Sequence, residues 1–155
     1  MSKDIINALQ GPYNHAYALL AQFMDTCPEN LWEETNGGWP VWQQVAHALA
    51  VLNFFILEKE DDQFLPAPCD INTLMLKEQG KKPVTKAAMK QYGEAVKAAV
   101  DGWLANISDA DLTRLQERVS KRIGRDMKET VVSTPWMAMG APSRKRLLSL
   151  PQCMR

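Results

Sequence analysis

Few side chains in this sequence can do chemistry, and they are unevenly spread. There are two histidines, His15 and His47, and three cysteines, Cys27, Cys69 and Cys153. Neutral imidazole is the commonest ligand for borderline divalent metals, but a stable site needs three or four donors. Thiolates can substitute as soft ligands. Here no two cysteines stand at a metal-pair spacing, and the odd count argues against a disulfide framework. His47 therefore reads either as one metal ligand or as a polar residue of its helix. His15 reads either as its companion or as a surface histidine. Trp32, Trp39, Trp42 and Trp103 either line a ligand pocket or pack bundle ends with each indole N–H on a loop carbonyl. Glu33-Glu34 and Glu60-Asp61-Asp62 are charge clusters at helix ends. Arg144-Lys145-Arg146 reads as a solvated basic run. No phosphate-binding loop, nucleophile elbow, H-E-x-x-H or dinucleotide fingerprint occurs, so no catalytic or cofactor-binding residue is assigned.

The elements that would position these residues are helical. Ile5, Ile6, Leu9, Tyr13, Ala16, Leu20, Phe23 and Met24 share one face at 100° per residue, so the spacing predicts an amphipathic helix from about Lys3 to Thr26. Pro12 within it predicts a kink, or a helix that starts at Pro12; Cys27-Pro28 ends it. A loop to Trp39 follows. A second helix is predicted from Pro40 to about Lys59, with a Val41, Val45, Leu49, Leu52, Ile56 stripe. Its surface is apolar nearly all round, which makes it central or part of a subunit interface. His47 lies across from that stripe, beside Gln43.

Residues 60–84 carry charges, prolines and a glycine. This is far longer than the ~2–8 residues of a tight helix–helix turn, and it permits a crossover that leaves the flanking helices parallel. Thr85 caps a third helix whose stripe is Met89, Tyr92, Val96, Ala99, Trp103 and Ile107. Ser108 and Asp111 form a capping pattern for a short turn at 109–119. A fourth core helix is expected near Arg125.

Composition limits the function classes. The chain has 155 residues, 46% of them hydrophobic, in keeping with one domain (core 3–125, with an atypical segment at 126–155). Eighteen basic residues balance eighteen acidic ones, so no global field collects nucleic acid or an anionic membrane. The four basic residues after Thr130 leave 14 basic against 18 acidic in the first 129, a net of −4. No apolar run approaches the ~20 residues of a membrane span, and Met1 to Gln10 lacks a signal-peptide core. A cytoplasmic protein without nucleic-acid or membrane partners is expected.

Cys27-Pro-Glu-Asn-Leu-Trp32, followed by Gly38-Trp39-Pro-Val-Trp-Gln-Gln-Val-Ala-His47-Ala-Leu, resembles the DinB-like superfamily, in which a Trp leads into helix two and a His follows eight residues later. Trp103 to Leu112 is similar to the exit of that family's third helix. The resemblance covers roughly residues 5–127. It implies an all-α, up-down-down-up four-helix bundle with a long helix 2–3 crossover, commonly homodimeric. It also implies a Ni, Zn or Fe site of three histidines, one on helix two and an H-x-x-x-H pair on helix four, serving in some members a thiol-dependent transferase. His47 matches the helix-two ligand, but no histidine follows it. The expectation is thus a small-ligand or protein-binding module without the complete metal site. The alternative is a metal-dependent transferase or hydrolase in which His47, joined by His15 or other donors, holds a cation that activates water or a thiol.

Overall fold

The computed structural model describes residues 1–35, 38–58 and 62–123, and of Thr113, Arg122 and Ile123 the backbone alone. Expectations about a helix from Arg125, the basic run at 144–146 and Cys153 lie outside the described residues. The architecture is all-helical, with six helices among the described residues: α1 (Asp4–Thr26), α2 (Glu29–Trp32), α3 (Val41–Ile56), α4 (Ile71–Leu74), α5 (Lys86–Asn106) and α6 (Asp111–Ile123).

α1 runs without interruption through Pro12, which sits on an exposed face. What holds it helical is packing and fastening at its ends. Ile6, Tyr13, Ala16 and Met24 are buried, whereas Ile5, expected on the inner face, is 49% exposed. The Lys3 side chain supplies no cap. Instead Asp109, just beyond α5, accepts the Ile6 backbone N–H at 3.1 Å and the Ser2 hydroxyl at 2.6 Å. Lys3 Nζ donates to the Ala105 carbonyl at 2.5 Å. At the other end, Lys90 pairs with Asp25 at 2.5 Å. The two ends of α1 therefore meet opposite ends of α5, and the pair is antiparallel.

α3 and α5 run in the same direction. Trp42 lies against Gly80, ahead of α5, and Leu49 packs at Gly93. Further along, Phe55 and Trp103 share a cluster with Leu115 and Val119 of α6. α3 is the central helix that its all-round hydrophobicity predicts: Trp42, Val45, Ala46, Leu49, Ala50, Leu52 and Phe55 are all buried. The α5 stripe is buried at Met89, Tyr92, Val96 and Val100. Val100 is inside and Ala99 half-buried because α5 packs against α1 and α3 together.

The predicted caps form. Thr85 Oγ1 accepts the Ala88 N–H, and the Asp111 carboxylate accepts both the Ser108 backbone N–H (2.8 Å) and its hydroxyl (2.7 Å). The helix that follows is longer than the short turn expected. Leu112, Leu115 and Val119 recur at helical spacing and pack on Phe55, and the Arg118 guanidinium donates to the Phe55 carbonyl at 2.9 Å, satisfying one of the last acceptors of α3.

Candidate functional site

The residues brought together around the candidate ligand His47 form a contact between α3 and the long connection that precedes α5. His47 is half-buried, and its Nδ1 lies 3.0 Å from the Leu74 carbonyl at the end of α4. A carbonyl only accepts, so Nδ1–H is the donor in this contact, which in a neutral ring puts the lone pair on Nε2. One turn earlier on α3, Gln43 is wholly buried. Its amide N–H groups donate to the Thr73 carbonyl (2.8 Å) and the Glu78 carbonyl (2.7 Å), and its Oε1 accepts the Gly80 N–H (3.0 Å). Farther along α3, buried Asn53 accepts the Leu65 N–H at 2.8 Å. Three of the four polar side chains of α3 thus satisfy backbone groups of a segment that has little secondary structure of its own, while the fourth, Gln44, donates to the Trp39 carbonyl at 2.7 Å.

The anchored segment is itself organised locally. Asp70 caps α4, accepting the Asn72 and Thr73 N–H groups at 3.0 Å each and the Thr73 hydroxyl at 2.7 Å. The Thr73 backbone and hydroxyl bonds, aided by Asn72, hold the Asp70 carboxyl below its ordinary value. α4 ends in a left-handed residue, Leu76 at φ 56°. The Leu76 N–H returns to Thr73 O and the Lys77 N–H to Asn72 O, the paired bonds of a Schellman ending, here with leucine where glycine is usual. Gly80 is required by close approach: a Cβ there would overlap the Trp42 ring and lie 2.9 Å from Thr73 Cγ2.

The other predicted residues lie elsewhere. His15 is exposed on α1. Cys27 is buried near the end of α1, where the Lys86 ammonium donates to its carbonyl. Cys69 is half-buried, and burial with the neighbouring Asp70 charge pushes its thiol up, away from the reactive thiolate. Among the described residues no group of three or more His, Cys, Asp or Glu is placed to hold a metal. Trp32 behaves as bundle-end packing predicts: it is buried and its indole N–H donates to the Val84 carbonyl at 2.7 Å.

Tyrosines form a feature the sequence reading missed. Lys97 Nζ stands 5.1 Å from the Tyr13 ring centre and 5.7 Å from that of Tyr17, and bonds Asp101. Burial first, then the Asp101 charge, raises the Tyr13 phenol; burial and Glu94 raise Tyr17. Tyr92, in the core, is pushed up to about 12 by burial and by Cys69. The buried hydroxyls of Tyr13 and Tyr92 have no hydrogen-bond partner among the described residues. The signal for the cluster was the i, i+4 pair Tyr13/Tyr17 on a helix without nearby charges.

No helix among the described residues is long and apolar enough to cross a membrane. Comparison with family models, with curated proteins and with solved structures gives no match to this chain.

Proposed function

We propose that this chain is a DinB-like four-helix bundle of up-down-down-up order, acting as a small-ligand or protein-binding module rather than through the family's metal centre. The bundle reading is supported by the antiparallel α1/α5 pair, by the shared direction of α3 and α5 and by the long connection joining them. The observation that carries the functional reading is the use made of the helix-two histidine. His47, with Gln43 one turn away, is committed to holding the crossover through the Leu74 carbonyl. A three-imidazole site does not fit a chain with two histidines, of which His15 stands exposed on α1.

A second reading rests on the same contact. Ligating histidines ordinarily donate the other ring N–H to a carbonyl or carboxylate, which fixes ring and tautomer. The Nδ1–Leu74 bond does this for His47 and leaves Nε2 as one donor for a divalent ion in a metal-dependent transferase or hydrolase.

Metal analysis of protein purified without a histidine tag decides between them. The binding-module reading predicts substoichiometric Ni, Zn and Fe and a melting temperature unchanged by chelator. Stoichiometric metal that is lost in His47→Ala would overturn it in favour of the second.

A further inference from the structure

We draw no further inference here: the strongest candidate, the side-chain cluster of Tyr13, Tyr17, Lys97 and Asp101 between α1 and α5, carries nothing beyond the packing of the two helices, because the chain's own Lys97 ammonium already lies over both rings and on the Asp101 carboxylate and nothing in the structure shows a ligand that would take its place.

Discussion

Gln43 is the residue whose role changes most between sequence and structure. On a helical wheel it stands with His47 opposite the Leu49 stripe, which reads as the wetter side of α3. In the fold that side meets the crossover, and all the amide's partners lie 30 to 37 residues away. Such partners have no local pattern to betray them; the available clue was a Gln and a His at i, i+4 on a helix otherwise too apolar to need them. Removing one partner of a buried bond costs about 1–3 kcal/mol because the other stays desolvated. Gln43→Leu, leaving two carbonyls and an N–H behind, is expected to destabilise by about 3 kcal/mol or more in urea unfolding. Gly80→Ala is expected to cost about 1–3 kcal/mol, the usual penalty for overpacking, because the added methyl meets the Trp42 ring. Gly11→Ala, with open space around it, is expected to stabilise the fold by about 0.5–1 kcal/mol in the same assay.

At the scale of elements, stripes and caps were the readable part. Thr85 and the Ser108–Asp111 pair act within three residues, so their chemistry lies in the local sequence. α2 and α4, four residues each, are too short to show a period. The cap of α1 was unreadable for another reason: it comes from Asp109, more than a hundred residues away. Asp109 and Asp70, the cap of α4, both have carboxyls held below the ordinary 3.8, by the Ser2 hydroxyl and the Thr73 N–H respectively. A depressed carboxyl stabilises the fold fully above its unfolded value, and that stabilisation is lost as pH falls through the lower folded value. Melting temperature should therefore fall as pH drops below about 4, and the Asp70→Asn, Asp109→Asn double variant should start lower at neutral pH and fall less steeply. Equal slopes in wild type and variant would show that these caps do not carry the acid sensitivity.

For the whole molecule, the long connection at 60–84 correctly signalled that α3 and α5 need not be antiparallel, because two helices running the same way must be joined by chain that travels back along them. What sequence spacing left open was how that chain is held, since its anchors Gln43, His47 and Asn53 become partners only once the fold has formed. The account stands on this point: His47 belongs to the fastening of the crossover onto α3. Hydrogen exchange of metal-free protein measures it directly. His47→Ala should raise exchange at the α4 amides, Leu74 and Met75 above all, and through the turn to Gly80, while the middle of α5 around Val96 keeps its protection. Unchanged exchange across residues 70–80 in the variant would contradict the account.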